Sequence, residues 1–126
     1  QLKKLNLFVK KRNILSDIYR ENLDCKKFRP LRNNPNNYSG MHIFVIKIIL
    51  KGISRNNIVN YLKKNNIGTQ IHYMPIHLQP YYKNLGFKKG DFINAENFSK
   101  EILTLPLHTS LNKKDIIRIC KYLNKL

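Results

Sequence analysis

A chain of 126 residues, 42% of them hydrophobic, is long enough to bury a core of its own and fits one small domain. Its longest apolar run, residues 43–50, is interrupted by Lys47 and is far shorter than the roughly 20 residues of a membrane helix, so we predict no membrane partner. The net charge of +17, from 24 basic and 7 acidic residues, permits a polyanionic partner without requiring one.

The composition offers a simpler explanation for much of this charge. Eighteen of the 24 cations are lysine, which reads bases and phosphates less well than arginine. The chain also has 17 asparagines and 16 isoleucines against one alanine, as AT-rich codons would produce. We therefore predict no specific nucleic-acid binding, and we keep a basic nucleic-acid-binding module as the alternative.

The first half of the chain predicts a long helix, a buried strand and a second helix. An amphipathic helix over residues 2–23 would be about 33 Å long, which suits a connection between two domains. Residues 27–31 contain a proline and fit the edge of a sheet. Residues 41–50 are β-branched and apolar on both faces, as in a central strand. Ser54 is the predicted N-cap of a helix over 55–64.

The second half predicts shorter elements. Residues 69–73 have the pattern of a strand, and Asn94 is the predicted N-cap of a helix that includes Ile102. A short extended stretch at 105–107 precedes a last helix at 112–125, where Asn112 and Asp115 resemble a capping box. This order of elements predicts an α+β domain in which a small sheet is covered by helices.

The densest polar and aromatic segment runs from Gly68 to Tyr82 and holds two of the four histidines and three of the seven tyrosines. Loops that follow strands often carry binding sites. His72 and His77 would donate hydrogen bonds to phosphate or carboxylate oxygens if both reached one pocket. The alternative is that His72 is a satisfied strand residue and that the tyrosines only pack.

Metal and thiol chemistry are not predicted. The four histidines lack a short paired spacing and have no cysteine nearby, which argues against zinc. Cys120 lies on the apolar stripe of the last predicted helix, where thiols are inert. Cys25 and Cys120 match no redox spacing, so we expect free thiols in a reducing cytoplasm.

The polar segment resembles a known family. Residues 68–82, GTQIHYMPIHLQPYY, resemble the C-terminal signature of the DegT/DnrJ/StrS family of nucleotide-sugar aminotransferases, which use pyridoxal phosphate. Asn66, just before the Ile-Gly-Thr of residues 67–69, stands where the family commonly has glycine, but asparagine tolerates the same left-handed backbone. Four more stretches resemble family features in the family's order: residues 1–12, 42–46, 89–96 and 105–108.

The resemblance implies the fold and the domain organisation of a fold type I aminotransferase. Residues 1–24 would be the interdomain connecting helix, and residues 25–126 the small C-terminal domain with a short, mainly antiparallel sheet. The large domain that binds pyridoxal phosphate, with its Schiff-base lysine, would lie outside this chain. The chain, a fragment or processed product, would then have no catalytic residue and no activity alone.

The resemblance also implies a reaction and partners. The intact protein would transfer an amino group from glutamate to a keto group of a nucleotide-linked sugar, in the manner of enzymes that aminate UDP-4-keto-6-deoxy sugars for pseudaminic acid. Related enzymes for perosamine, viosamine or aminoarabinose share most of the signature. His72, Tyr73 and His77 would bind substrate, and His42 and His108 would be structural. The large domain and a second identical subunit would be partners. A standalone structural or regulatory domain is a further alternative.

Overall fold

A three-stranded antiparallel sheet with helices packed on it forms the domain, as seen in a computed structural model that describes residues 2–34 and 36–126. This confirms the predicted α+β class. The helices are α1 (Leu5–Asn22), α2 (Arg55–Lys64), α3 (Pro80–Asn84), α4 (Ile93–Glu101) and α5 (Lys113–Asn124). The strands are β1 (Phe28–Pro30), β2 (Phe44–Ile48) and β3 (Ile102–Leu105), and 3-10 turns occupy Leu2–Lys4 and Ile76–Leu78.

The sheet has the order β1-β2-β3, so the predicted apolar strand is indeed central. β2 pairs antiparallel with β1 through Phe28 and Ile48 and with β3 through Phe44 and Leu105. Pro30 lies in the edge strand β1, where its missing N–H costs the sheet least.

One hydrophobic core joins the sheet to α1, α2 and α5. The strands and the inner faces of the three helices contribute Leu15, Tyr19, Phe28, Phe44, Ile46, Ile58, Leu62, Leu103, Leu105, Ile116, Ile119, Cys120 and Leu123, and the connecting segments add Leu23, Met41, Ile67 and Leu107. The C-terminal half of α1 packs on α5, whereas Leu5 and Leu7 at its start, and Leu2 in the 3-10 turn before it, are exposed. The long first helix therefore has one buried half and one uncovered apolar half.

The starts of two helices agree with the capping residues predicted from the sequence. The Ser54 side chain accepts a hydrogen bond from the Asn57 N–H at the start of α2. Asn112 and Asp115 form a reciprocal capping box at the start of α5, with an aspartate in the place that glutamate usually takes. Asn66 has the left-handed backbone expected after α2, with φ of 57°.

Three predictions in the second half are wrong. Residues 69–73 form no strand, because β3 is only four residues long and offers the segment a single bridge, between Gln70 and Thr104. Ile102 begins β3 instead of ending a helix, since pairing with Lys47 of β2 satisfies its backbone. β3 therefore starts three residues before the predicted 105–107 stretch. The N-cap of α4 is Phe92 and not Asn94.

None of the helices within the described ranges combines the length and the apolar character needed to cross a membrane.

Candidate functional site

An open cavity of about 550 Å³ lies beside the C-terminal end of β3. Three of the four histidines line it, and each comes from a different part of the chain: His42 precedes β2, His72 follows the Gln70 bridge, and His108 follows β3. Asp115 and Arg118 of α5 complete its polar wall. The fold therefore gathers hydrogen-bonding side chains that are up to 76 residues apart, counting from His42 to Arg118.

His72 is fixed to the sheet. Its Nδ1 lies 2.9 Å from Oγ1 of the buried Thr104, and the backbones of Gln70 and Thr104 exchange two hydrogen bonds beside it. Because this contact uses one ring nitrogen, Nε2 keeps its capacity to bind a ligand. The side chain is therefore both held in place and chemically available.

Tyr73 extends away from the protein surface. Its side chain is 71% exposed, and its ring meets the edge of the His72 ring at a centroid distance of 4.6 Å. Met74 and Ile76, which follow it, are also largely exposed. We call residues 72–78 the site loop, since it carries all three predicted substrate-binding residues.

His77 is in a different environment from His72 and does not line the same cavity. Its side chain is 7% exposed, and its Nε2 lies 3.0 Å from Oε1 of Glu96, which is also buried. The same carboxylate oxygen accepts the N–H of Gly90 at 2.7 Å. These bonds, from the Gly90 N–H first and from His77 second, hold the pKa of Glu96 below its usual value. The interpretation of His77 as a substrate-binding residue remains a prediction.

Sequence reasoning missed several cavity residues. Thr104 was not predicted as a cavity residue because it falls between the predicted helix that includes Ile102 and the predicted extended stretch at 105–107. In the structure it belongs to β3. Arg118 lies on the outer face of α5, where it donates a hydrogen bond to the Asn65 carbonyl oxygen at 2.6 Å. No local sequence signal separates it from the other exposed cations.

The cavity does not fit a metal ion or a complete cofactor site. Within residues 2–34 and 36–126, no group of three or more His, Cys, Asp or Glu side chains is arranged to hold a metal. Pyridoxal phosphate needs a lysine for its Schiff base, and no lysine lines this cavity among the described residues. Asp115, its one acid, accepts the Asn112 N–H in the capping box. This cavity, as the described residues line it, therefore lacks the lysine that a pyridoxal phosphate site requires.

The chain matches the family model of the DegT/DnrJ/EryC1/StrS aminotransferases over residues 1–124. It belongs to this family. The family resemblance noted in the polar segment is thereby confirmed along nearly the whole chain.

Known relatives agree in sequence and in structure. SpsC of Bacillus subtilis, a spore coat polysaccharide biosynthesis protein, is 40% identical over 79 residues, which are 60% of this chain and 20% of SpsC. Spr1654 of Streptococcus pneumoniae is assigned to the sugar aminotransferases and was solved in its PLP form. It superposes with a TM-score of 0.90 at 29% sequence identity, and the match covers 99% of this chain and 32% of Spr1654. Helicobacter pylori PseC, an aminotransferase of pseudaminic acid biosynthesis, superposes with a TM-score of 0.85 at 26% sequence identity. The match covers 99% of this chain and 34% of PseC.

The chain spans about a third of the length of the relatives that match it from end to end. The remainder of these family members corresponds to nothing in the 126 residues.

A second surface bears on the nucleic-acid alternative. The exposed face of α5 and its C-cap residue carry four cations at helical spacing, Lys114, Arg118, Lys121 and Lys125. The Arg118 guanidinium and the Lys125 ammonium lie 5.4 and 5.8 Å from the centroid of the Tyr122 ring. Although the cations are spread along the sequence, the fold thus concentrates some of them on one face.

Proposed function

We propose that this chain is the C-terminal small domain of a sugar aminotransferase that uses pyridoxal phosphate. The family match over residues 1–124 carries the proposal, and the likeness to sugar aminotransferases that are three times as long supports it. In this proposal residues 1–24 connect the two domains, and residues 25–126 cover the substrate side of the active site. The amino donor is glutamate, and the acceptor is a keto group of a nucleotide-linked sugar.

The cavity beside β3 and the site loop would contact the nucleotide sugar. His72, held by Thr104, presents Nε2 as a donor to a diphosphate or sugar oxygen. Tyr73 offers an exposed ring and a hydroxyl to the same ligand. His77, the third predicted substrate contact, lies on the buried side of the loop next to Glu96.

The cofactor would be held by the large domain. When bound, pyridoxal phosphate supplies the electron sink for amino-group transfer. The present chain contributes substrate contacts and excludes water, but neither the Schiff-base lysine nor the partner of the pyridine nitrogen. We therefore expect the 126-residue chain to be inactive alone.

The partners would be the large domain and a second identical subunit. Exposed apolar side chains on the site loop, α3 and α4 support this proposal, because an unpartnered protein rarely exposes so many. They are Tyr73, Met74, Ile76, Tyr81, Leu85 and Ile93, each more than half exposed. Cys25 and Cys120 are both free thiols, and we place the enzyme in the cytoplasm.

The proposal is tested with a chimera in which this chain replaces the corresponding C-terminal third of H. pylori PseC. Transamination of the PseC nucleotide sugar is followed with glutamate as donor. We expect activity from the chimera and none from the chain alone. His72→Ala should lower turnover about 10- to 150-fold, since a hydrogen bond to a charged oxygen is lost.

The matched control for this test is Tyr38→Ala, which changes an exposed side chain in the loop before β2. The control should turn over substrate like the parent chimera. A soluble chimera that binds pyridoxal phosphate but transfers no amino group would refute the proposal. Equal activity of the His72→Ala and Tyr38→Ala variants would refute the assignment of His72 to the substrate site.

A polyanion-binding function is the second candidate, favoured by the four cations on α5. It differs from the first in its salt dependence, because counterion release weakens phosphate-backbone binding steeply as salt rises.

A further inference from the structure

The site loop is attached to the rest of the domain at both of its ends. At its start, the His72 imidazole contacts the Thr104 hydroxyl of β3. At its end, the His77 imidazole contacts the Glu96 carboxylate of α4. Between these two points lie the exposed Tyr73, Met74 and Ile76 side chains.

The two attachment points belong to one continuous unit. α4 ends at Glu101 and β3 begins at Ile102, with no connecting loop. Glu96 and Thr104 are therefore eight residues apart on a helix that runs directly into a strand of the sheet. Because β3 pairs with the central strand over its whole length, the strand end of that unit is held in the sheet.

Glu96 is suited to this attachment by its burial and its contacts. One carboxylate oxygen accepts from both the His77 ring and the Gly90 N–H, so it joins the site loop, the turn before α4 and α4 itself. The Phe92 ring covers the His77 ring at a centroid distance of 4.9 Å. A buried carboxylate is tolerated only when its oxygens are paired, and removing it leaves the buried imidazole without its acceptor.

We propose that Glu96 is a positioning residue that acts through His77 to hold the site loop, and with it Tyr73, in the geometry that the nucleotide sugar requires. Its effect on catalysis rests on the proposed function, but its effect on the loop does not. His77 then serves the site from behind and need not touch the substrate. Nothing in the pattern of the sequence pairs these two residues, which are 19 positions apart.

The effect on the loop is measured by amide hydrogen exchange on the full 126-residue chain. The Leu78 and Gln79 amides report on the end of the site loop, where they donate to the carbonyl oxygens of Pro75 and Ile76 at 2.9 Å. The Gln70 amide, bonded to the Thr104 carbonyl oxygen, reports on the sheet side. We expect Glu96→Ala to accelerate exchange at the two loop amides about 10-fold or more, and to leave Gln70 unchanged.

Two further variants separate positioning from a general loss of stability. Glu96→Gln keeps an acceptor oxygen, so the exchange rates of Leu78 and Gln79 should return to within about 3-fold of the parent rates. A 3-fold ratio corresponds to about 0.7 kcal/mol in the free energy of local opening. Val59→Ala removes methyl groups from α2, where the side chain packs against the core far along the chain from the loop. It should accelerate only amides that exchange through global unfolding. If Glu96→Ala gave the same pattern as Val59→Ala, or left Leu78 and Gln79 unchanged, the loop attachment would be disproved.

The effect on catalysis is measured in the active chimera. Glu96→Ala should raise KM for the nucleotide sugar about 10-fold with pyridoxal phosphate still bound, and Glu96→Gln should return it toward the parent value. Unchanged KM in an enzyme whose loop amides are accelerated would disprove the positioning role. A chimera without nucleotide-sugar activity would instead count against the proposed function, and hydrogen exchange alone would then decide whether Glu96 holds the loop.

Discussion

His72 and Thr104 are joined by a 2.9 Å contact between the imidazole Nδ1 and the hydroxyl Oγ1. Thr104 is also the residue whose backbone pairs with Gln70. The site loop is therefore held to β3 at its start by the His72 side chain, and the segment just before it is held by the Gln70 backbone, although this segment forms no strand of its own.

Replacing Thr104 tests this contact without changing side-chain volume much. Thr104→Val removes the hydroxyl and leaves His72 Nδ1 without its partner, so we expect the free energy of unfolding to fall by about 1 kcal/mol. Urea denaturation followed by circular dichroism measures the loss. Thr109→Val, a partly exposed threonine in the loop before α5, is the control and should change stability by less than about 0.5 kcal/mol. Equal effects would show that the Thr104 hydroxyl does not support His72.

Glu96 should make the site loop sensitive to acid. Hydrogen bonds from Gly90 and His77 lower its pKa in the folded chain below the ordinary value of 4.5. A group with a lowered folded pKa contributes stability above its unfolded pKa, and that stability is lost as pH falls through the folded pKa. The groups near it that can carry positive charge are the His77 imidazole of the site loop and the Lys100 ammonium of α4.

The measurement is the chemical shift of the Gly90 amide proton between neutral pH and pH 3. We expect it to move as the Glu96 carboxylate is protonated, with a midpoint below the ordinary value. In the same range the Leu78 and Gln79 amides should lose protection relative to their intrinsic exchange rates. Glu96→Gln has no carboxylate at that position and should abolish the movement. A midpoint at or above the ordinary value would contradict the hydrogen-bonded arrangement.

Tyr19 connects α1 to the segment after β3. We predict that removal of its hydroxyl measurably lowers the free energy of unfolding. Its fully buried side chain donates a hydrogen bond to the Pro106 carbonyl oxygen at 2.9 Å, and burial raises the pKa of its phenol. Tyr19→Phe leaves that carbonyl oxygen unpaired, so we expect a loss of about 1–2 kcal/mol in unfolding free energy. Tyr38→Phe changes an exposed tyrosine and should have no measurable effect. Stability losses of the same size in both variants would contradict this interpretation.

The two thiols should differ in reactivity. Burial raises the pKa of the Cys120 thiol to about 12, whereas Cys25 is exposed. At pH 8 a thiol-specific chromogenic reagent should therefore label one thiol of the folded chain rapidly, and two after denaturation. Cys25→Ser should remove the rapid phase entirely. Rapid labelling of folded Cys25→Ser would show that the α5 core opens readily.

Local patterns predicted those parts of the fold that local interactions decide. The caps at Ser54 and Asn112 depend on side chains three residues or fewer from the backbone groups they bind, and both were found. β3 was misplaced because its position is decided by pairing with β2, more than 50 residues earlier. For the same reason Thr104 and Glu96 could not be assigned to the site. Their partners, His72 and His77, were visible only as histidines in a polar segment.

DNA binding by this chain should be weak and removed by salt. The structure brings four cations together on the exposed face of α5 and its C-cap residue. If all four contact phosphates, raising salt from 50 to 200 mM should weaken binding about 100-fold, since affinity falls with salt in proportion to the cations engaged. Fluorescence anisotropy with two duplexes of unrelated sequence measures both the salt dependence and any preference.

The matched variants reverse the same amount of charge at two places. The first double variant, Lys121→Glu with Lys125→Glu, reverses two of the four charges of the α5 set. The second, Lys10→Glu with Lys11→Glu, reverses the charges of two exposed lysines of α1. Net charge falls equally in both, so a stronger effect of the α5 pair would locate the contact on that helix. We expect no difference between the two duplexes, because lysine-dominated contacts to phosphates carry no sequence information. Nanomolar binding that survives moderate salt and prefers one duplex would mean that the charge serves nucleic-acid recognition and does not come from codon bias.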